Sequence, residues 1–391
     1  MRIDLLYALT NRSGDMSWNE VLQATRKHAV MADKLGFDGI WFGEHHFDAD
    51  GVDASANPIM VAADIAARTE RIRLGLAAVQ LPLWNPIRLA EDLALVDHMS
   101  GGRLDPAFAR GIVDFEVMNI NPAADRWTDG PAKSEAIFEE NFEIMKAAMT
   151  MPSLRYKSEN YEFPYPNLKY KHGFGGIENP NNVDHGLNTI DANGNLHGLG
   201  IVPQPLQKPT PPFYIVTESM SGFSGAARRD MGAITWYPTG KGLTELFKTY
   251  QSEMARLHNR HLPLGEGCAV LRLAFAAKTD AEARAVVQGP VTGFAGFCAY
   301  VRRSNVWLDI DEDQNDPRFK DAPITYEMLL DRDHLLVGSP DSIIERMRRM
   351  SKELNIKHWL LQTGFPGITG PQVESSLELF GKEVLPAIRD L

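Results

Sequence analysis

The sequence has few cysteines, no long apolar run and fewer basic than acidic residues. Its two cysteines, Cys268 and Cys298, are too few for a disulfide framework among 391 residues and are typical of a reducing compartment. No apolar run approaches the roughly 18 residues that cross a bilayer, and residues 1–6 carry an early acid with no small-residue cleavage site. The 40 basic and 51 acidic residues give a net charge of −11, which argues against nucleic acid or an anionic membrane as a partner. We therefore expect a cytoplasmic protein that binds neither.

What the sequence does contain is a regular alternation of short apolar runs and amphipathic helices. The Ser17-x-x-Glu20 capping box and the Asn57-Pro58 and Asn85-Pro86 pairs are helix start signals between these runs. Eight runs predict strands, at about residues 3–8, 37–43, 72–79, 104–109, 213–216, 233–236, 269–277 and 356–362. Eight alternations predict an α/β fold, a (β/α)8 TIM barrel, as one domain over residues 1–391. No Gly-x-Gly-x-x-Gly follows any strand, which argues against a Rossmann fold.

Two helices carry apolar stripes that we interpret as core. His28 lies on the apolar face of the first helix and is predicted to be a core histidine. The helix after strand four places Phe138, Phe142, Met145 and Met149 at helical spacing, which is typical of a core stripe rather than a cofactor site.

Two segments interrupt the alternation, one between strands four and five and one between strands seven and eight. Residues 154–206 begin like a hairpin and continue into a tract rich in glycine and asparagine, from Gly173 to Asn195. Residues 289–331 include an acidic run at 309–316. They are either solvated surface loops or mobile lids over the mouth of the barrel.

The second strand ends in a cluster of chemically active side chains, Glu44, His45 and His46. Polar groups at the carboxyl end of a buried strand predict site chemistry in α/β proteins, although two partly satisfied histidines at a strand end remain an alternative. A metal site is disfavoured, because adjacent side chains on an extended strand point to opposite faces.

Polar or unusual residues also follow the next four strands. Since the carboxyl ends of barrel strands share one face, we expect them to form one site. Arg110-Gly111 offers a planar cation beside a residue that lets a ligand approach the backbone. Residues 218–222 lead into a helix and predict a phosphate site, with Glu218 assigned to backbone donation or to bonding a neighbouring residue. The groups are Ala77, Ala78, Val79 and Gln80; Ala109, Arg110 and Gly111; Thr217, Glu218 and Ser219; and Thr235, Trp236 and Tyr237.

Several blocks together resemble the bacterial luciferase-like flavin monooxygenases. They run in the family's order and are Gly36-Phe37-Asp38 through Glu44-His45-His46-Phe47, Leu76-Ala77-Ala78-Val79-Gln80-Leu81-Pro82, Asn85-Pro86-Ile87-Arg88, Ser100-Gly101-Gly102-Arg103, Arg110-Gly111, residues 203–219 and Val337-Gly338-Ser339-Pro340-Asp341. The resemblance implies a barrel that binds reduced FMN, delivered by free diffusion from a separate flavin reductase. The reduced flavin would react with O2 to form a flavin peroxide that oxidises an organic substrate. We also expect a homodimer.

The resemblance further implies roles for individual residues. The phosphate would lie at Arg110, Glu218, Ser219, Ser221 and Gly222, and the flavin ring against Ala77 and Ala78, joined by a cis peptide, with Trp236 nearby. His45 would be the active-site histidine, with His46 and Glu44 beside it. A neutral His45 near its ordinary pKa of about 6.5 could act as base or acid, so Baeyer–Villiger insertion and hydroxylation both stay open.

The sequence also departs from luciferase itself. Ala109 stands where luciferase has a reactive cysteine, and Val113 where it has a tyrosine; with the longer insertion, these weigh against light emission and a long-chain aldehyde substrate. These departures favour a small molecule with a bulky hydrophobic body as the substrate. The candidates for the apolar walls around it are Phe42, Phe47, Trp84, Phe108 and Trp236.

Two other functional classes remain open. Deazaflavin-dependent oxidoreductases tend to carry Ser-Asp-His where this chain has Glu44-His45-His46, and a non-catalytic flavin-binding relative has lost much of the barrel that is predicted here.

Overall fold

The computed structural model describes residues 1–128, 130–167, 189–190, 195–302, 305–320 and 322–390. The strands in these ranges are β1 (Arg2–Tyr7), β2 (Gly39–Phe42), β3 (Arg73–Gln80), β4 (Leu104–Ala109), β5 (Tyr156–Lys157), β6 (Glu162–Phe163), β7 (Thr189–Ile190), β8 (Leu196–Gly198), β9 (Tyr214–Val216), β10 (Gly232–Thr235), β11 (Cys268–Ala276), β12 (Leu335–Gly338) and β13 (His358–Gly364). The helices are α1 (Trp18–Leu35), α2 (Pro58–Ala66), α3 (Pro86–Met99), α4 (Asp114–Ile120), α5 (Pro131–Thr150), α6 (Met220–Arg228), α7 (Gly240–His258), α8 (Asp280–Arg302), α9 (Pro317–Lys320), α10 (Tyr326–Asp331), α11 (Pro340–Leu354), α12 (Gly370–Leu379) and α13 (Leu385–Ile388).

Eight parallel strands close into a barrel. The order β10-β9-β4-β3-β2-β1-β13-β11 is closed by pairing between β10 and β11. Ile3 lies opposite Trp359 of β13, and Leu5 lies opposite Ile40 of β2, so the first strand joins the last strand to the second. The predicted (β/α)8 barrel is confirmed, because all eight predicted strands are present and closed.

The chain divides into two compact units, each described separately. The first comprises Met1–Val79, Arg103–Glu116 and Pro212–Leu391, and it contains the barrel strands. The second comprises Gln80–Gly102 and Val117–Pro211, in which α3 packs against α5. The short antiparallel pairs β5–β6 and β7–β8 also lie in the second unit.

The predicted local signals form as expected. Ser17 and Glu20 make the reciprocal capping box of α1, and Asn57 and Asn85 cap α2 and α3 ahead of their first-turn prolines. His28 is buried, with its Nδ1 2.6 Å from the Tyr7 hydroxyl, which confirms a core histidine. The stripe of α5 is buried at Phe138, Phe142, Met145 and Met149.

Two predictions about irregular segments need correction. We expected a loop from Gly289, but α8 continues through Pro290 to Arg302. Its buried stripe, which includes Val287, Val291, Phe294 and Cys298, gains enough from packing to override the helix-breaking residues. The four-residue strand β12 was also missed, because so short a run pairs only with the last part of β11.

The long insertion starts as predicted. Tyr156 pairs with Phe163 in the antiparallel hairpin β5–β6. Gly173 and the glycines and asparagines that follow it, up to Gly194, lie outside the described residues. Across the described ranges, no helix combines the length and apolarity needed to span a bilayer.

Candidate active site

A buried apolar layer inside the barrel forms the floor of the site. Its members come from five strands: Trp41, Ala107, Ile234, Ala269, Leu271 and Leu360. Ala77 and Trp236 pack against this layer but remain partly exposed. Ala77 lies in the carboxyl-terminal half of β3 and Trp236 directly follows β10, so the floor opens on the face where barrel enzymes build their sites.

The strand-two motif lies beside the Ala77–Ala78 peptide. That peptide is cis, as the family resemblance predicted. Phe42 pairs with Leu76, and continuing this register by one residue places Gly43 beside Ala77. A Cβ on Gly43 would lie 3.6 Å from the Ala77 carbonyl oxygen, 3.7 Å from His45 Cδ2 and 3.0 Å from Asp53 Oδ2. A side chain at position 43 would therefore press on Asp53 and make ordinary contacts with Ala77 and His45.

His45 is a cation in this environment. Its Nδ1 lies 3.0 Å from Glu116 Oε1, on α4, and 33% of its side chain is exposed. Burial alone would lower the pKa of His45, but the hydrogen bond and charge of Glu116, together with the charges of Asp53 and Asp48, raise the pKa to about 9. The expectation of a neutral His45 near pKa 6.5 was therefore wrong, because its carboxylate partner lies 71 residues away and the sequence did not reveal it.

The second histidine is held by a second carboxylate. His46 Nε2 lies 2.9 Å from Glu44 Oε1, and Glu44 is buried. Each histidine thus has its own acidic partner, as expected for side chains on opposite faces of an extended segment. No group of three or more potential metal ligands occurs among the residues for which the structure gives positions.

The start of α6 presents donors to solvent. Ser219 caps the helix by accepting a hydrogen bond from Gly222 N at 3.1 Å, and the exposed hydroxyls of Ser219 and Ser221 lie 3.2 Å apart. The N–H groups of Met220 and Ser221 in the first turn have no intrahelical acceptor. These hydroxyls, backbone donors and the positive helix end suit an anionic group.

Arg110 directly follows β4, which pairs with β9, the strand that leads to the Ser219 turn. Phe108 pairs with Ile215, and continuing this register by two residues places Arg110 opposite Thr217. The side chain is half-buried, and Gly111 after it has a φ of +86°.

The Glu218 side chain is hydrogen-bonded to neighbouring residues, which is one of the two roles predicted for it. The carboxylate accepts from the Thr235 hydroxyl at 2.7 Å, from Trp236 N at 3.1 Å and from Tyr237 N at 3.2 Å. Burial raises its pKa, partly offset by these hydrogen bonds and by the charge of Arg302. Its side chain therefore organises the loop after β10.

A cavity of about 490 Å³ adjoins this turn and contains a cation that sequence analysis missed. Arg302, at the end of α8, lines it together with Ser219 and Tyr237, and its guanidinium lies 5.2 Å from the Tyr237 ring centre. The signal was the buried stripe of α8, which would have carried the helix on to Arg302. Asp309, on the same cavity, accepts from Gly242 N at 2.8 Å, at the start of α7.

Not every side chain that we expected to line an apolar substrate pocket is exposed. Phe42 and Phe108 are fully buried, because they point into close-packed core. Phe47 is 59% exposed, with its ring centre 5.8 Å from that of Phe115, which is 58% exposed. Trp84 belongs to the second unit, where its carbonyl accepts from Asn141 Nδ2 at 3.2 Å.

Known proteins resemble this chain in part of its sequence or in its fold. Over 137 residues the chain is 35% identical to the oxygenase component of the flavin-dependent trigonelline monooxygenase of Acinetobacter baylyi, which covers 35% of this chain and 38% of that protein. This match spans well under half of that relative's length. The fold resembles the oxygenating constituent of 3,6-diketocamphane monooxygenase of Pseudomonas putida, a type II Baeyer–Villiger enzyme in complex with FMN (TM-score 0.76, 22% identity, 99% of this chain and 98% of that one).

It also resembles an F420-dependent secondary alcohol dehydrogenase (TM-score 0.67, 15% identity, 100% and 99% coverage). At these low identities, similarity to the two structures shows only the fold. The model of the luciferase-like monooxygenases, by contrast, matches residues 1–358. The chain therefore belongs to the luciferase-like monooxygenase family.

Proposed function

We propose that this chain is the oxygenase component of a two-component monooxygenase that uses reduced FMN and O2 to oxygenate a small hydrophobic substrate. The observation that carries the proposal is convergence at one end of the barrel. The Ala77–Ala78 peptide lies in the carboxyl-terminal half of β3, and His45, Trp236 and the Ser219 turn follow the carboxyl ends of β2, β10 and β9.

The residues present fit both halves of FMN. At the phosphate end are the exposed hydroxyls of Ser219 and Ser221, the first-turn N–H groups of α6 and the guanidinium of Arg110. For the ring, the partly exposed faces of Ala77 and Trp236 offer apolar contact above the barrel floor. When bound, reduced FMN supplies the electrons that activate O2.

His45 is the group best placed to handle protons at oxygen. Glu116 accepts from Nδ1 and so orients the ring, and no described residue is hydrogen-bonded to Nε2. An imidazolium N–H can stabilise negative charge that develops on oxygen, or it can deliver a proton. The first property serves Baeyer–Villiger insertion and the second serves hydroxylation, so the same residue supports either outcome.

The substrate would meet an apolar edge next to this cation. Phe47 directly follows the His45-His46 pair, Phe115 directly precedes Glu116, and the two exposed rings contact each other. Exposed aromatic rings beside a polar group favour a substrate that is hydrophobic and carries one oxidisable or carbonyl-bearing position.

The electrons would come from another protein. The sequence contains no Gly-x-Gly-x-x-Gly after a barrel strand, which is the usual signature for binding a nicotinamide dinucleotide. A separate flavin reductase, supplying reduced FMN by free diffusion, is consistent with the relative named as an oxygenase component. The expected homodimer stays part of the proposal.

The test is an anaerobic titration with two reduced cofactors, FMN and a deazaflavin. The proposal expects saturable binding of reduced FMN, with a dissociation constant in the micromolar range or below, and weaker binding of the deazaflavin. Preference for the deazaflavin would instead assign the chain to the oxidoreductases that do no oxygen chemistry. Binding of neither would contradict the cofactor site.

A further inference from the structure

Arg272 is a buried cation held by backbone oxygens. It lies on β11 with no exposed surface, and it donates to the carbonyls of Pro238 and Leu271 at 2.8 Å, to that of Asp333 at 2.7 Å and to that of Trp236. Burial lowers the pKa of Arg272 to about 10, which leaves the guanidinium charged at neutral pH. Within the described ranges no carboxylate is hydrogen-bonded to it. Its charge is therefore stabilised mainly by peptide dipoles.

Two of these carbonyls belong to the segment that Glu218 bonds from the other side. Glu218 accepts from the N–H groups of Trp236 and Tyr237, whereas Arg272 donates to the carbonyls of Trp236 and Pro238. The peptide groups of residues 236–238 are thus held between a half-buried carboxylate at their N–H side and a buried cation at their carbonyl side. The two charges also attract each other across the segment.

The segment carries the indole that meets the barrel floor. Trp236 packs on the interior layer, stacks on Tyr237 with 4.7 Å between ring centres, and meets Trp307 edge-on at 6.0 Å. Its indole Nε1 is buried, and no described group accepts from it. With no hydrogen bond to Nε1, the ring is positioned by these packing contacts and by the backbone at 236–238.

We propose that Arg272 is a positioning residue for flavin-ring binding: together with Glu218 it fixes residues 236–238 and so holds Trp236 as a wall of the ring site. This rests on the proposed function, since it takes Trp236 to contact the flavin. The guanidinium itself touches neither the flavin nor the substrate. Its fork reaches two carbonyls of one segment at once, which a single ammonium would not do in a fixed geometry.

The experiment compares reduced FMN with reduced riboflavin, which lacks the phosphate. Arg272→Met keeps the volume and removes the donors, so it should weaken binding of both flavins by the same factor, about tenfold or more. Arg110→Ala should weaken binding of FMN and leave riboflavin nearly unchanged. The two patterns separate a loss at the ring from a loss at the phosphate.

Arg103→Met is the matched control. Arg103 also donates to backbone carbonyls, those of Ile72 at 2.7 Å and Thr69 at 3.0 Å, but it directly precedes β4 at the opposite ends of the strands. It should lower the melting temperature without changing either flavin affinity by more than about twofold. If Arg272→Met does not fold, Glu218→Gln tests the other side of the segment and should give the same equal losses.

The affinities of the variants for FMN and riboflavin decide whether Arg272 has this positioning role. Equal losses for FMN and riboflavin in Arg272→Met, with neither in Arg103→Met, support the positioning role. Unchanged affinities in folded Arg272→Met, or a loss confined to FMN, would overturn it. If the wild-type chain binds neither flavin, the proposed function itself fails, and the result is distinct because no variant is needed to see it.

Discussion

At the scale of single residues, the role that we propose for His45 depends on its charge state. Against the effect of burial, Glu116 and the charges of Asp53 and Asp48 raise the pKa of this histidine to about 9, above its ordinary value of 6.5. The ion pair therefore contributes stability that is fully present below pH 6.5 and is lost as the pH rises through about 9. An acid of this strength is protonated throughout the neutral range, so it acts as a donor or as a fixed positive charge.

Removing the charge of Glu116 should move this titration. We expect Glu116→Gln to lower the pKa of His45 by at least about one unit, because burial then acts against a smaller compensating charge. A two-dimensional NMR titration of the imidazole resonances measures the shift directly. Product yield per reduced FMN should fall at correspondingly lower pH, with more hydrogen peroxide released.

Glu44→Gln is the control for that titration. It removes a buried carboxylate that bonds His46 and not His45, so the pKa of His45 should stay near 9. A Glu116→Gln titration that coincides with that of the wild-type chain would remove Glu116 as the cause of the raised pKa.

At the scale of elements, the start of α6 is built around one glycine. A Cβ on Gly222 would overlap Thr217 Oγ1, so the turn that caps the helix through Ser219 requires glycine there. Gly225, one turn later, would meet only the far ends of the Arg228 and Arg229 side chains. The two glycines of one helix thus have different roles.

Alanine at these positions should have opposite effects. Gly222→Ala should displace the Ser219 turn and weaken reduced FMN binding by about tenfold or more, since the hydroxyls and N–H groups share that turn. Gly225→Ala should leave FMN affinity unchanged and add up to about 1 kcal/mol of stability, because alanine is the better helix former. Fluorescence titration and thermal unfolding measure both, and an unaffected FMN affinity in Gly222→Ala would contradict the phosphate assignment.

Some helices, strands and contacts could be predicted from the sequence, and others could not. The Asn57 and Asn85 caps and the eight barrel strands follow from local patterns, because caps and buried strands are coded by adjacent residues. The continuation of α8 through Pro290 does not, since packing of its buried stripe overrides local propensity. The Glu116–His45 and Arg272–Trp236 contacts join residues far apart in the chain, and a single sequence carries no signal for such pairs.

At the scale of the whole barrel, buried charges close the ring at the end opposite the site. Asp4 on β1 accepts from Arg2 Nε at 2.8 Å and from Trp41 Nε1 of β2 at 2.6 Å, and lies 2.9 Å from His358 Nε2 of β13. Burial alone would raise the pKa of Asp4, but the charges of His358 and Arg2 hold it well below its usual range. One carboxylate thus links the first, second and last strands of the barrel.

Asp4→Asn should destabilise the fold in a pH-dependent way. We expect a loss of about 3–5 kcal/mol at pH 7, because breaking a buried charge network leaves its partners uncompensated. Since the depressed pKa gives stability only above the unfolded value, the difference from the wild-type chain should shrink below about pH 4. Denaturant unfolding of Asp64→Asn, which removes a partly exposed partner of Arg26, is the control and should cost less than about 1 kcal/mol. A loss that does not change between pH 7 and pH 3 would show that the charge of Asp4 is not what stabilises the ring.

The most direct test of the account is stopped-flow mixing of the complex with reduced FMN against O2, followed by flavin absorbance. We expect bound FMN to reoxidise in at least two optical phases, with kinetics that differ from those of free reduced FMN. His45→Ala should alter these kinetics without a matching loss of FMN affinity. A single phase at the rate of free reduced FMN, in a complex shown to be saturated, would contradict the assignment of this barrel as a flavin-dependent oxygenase.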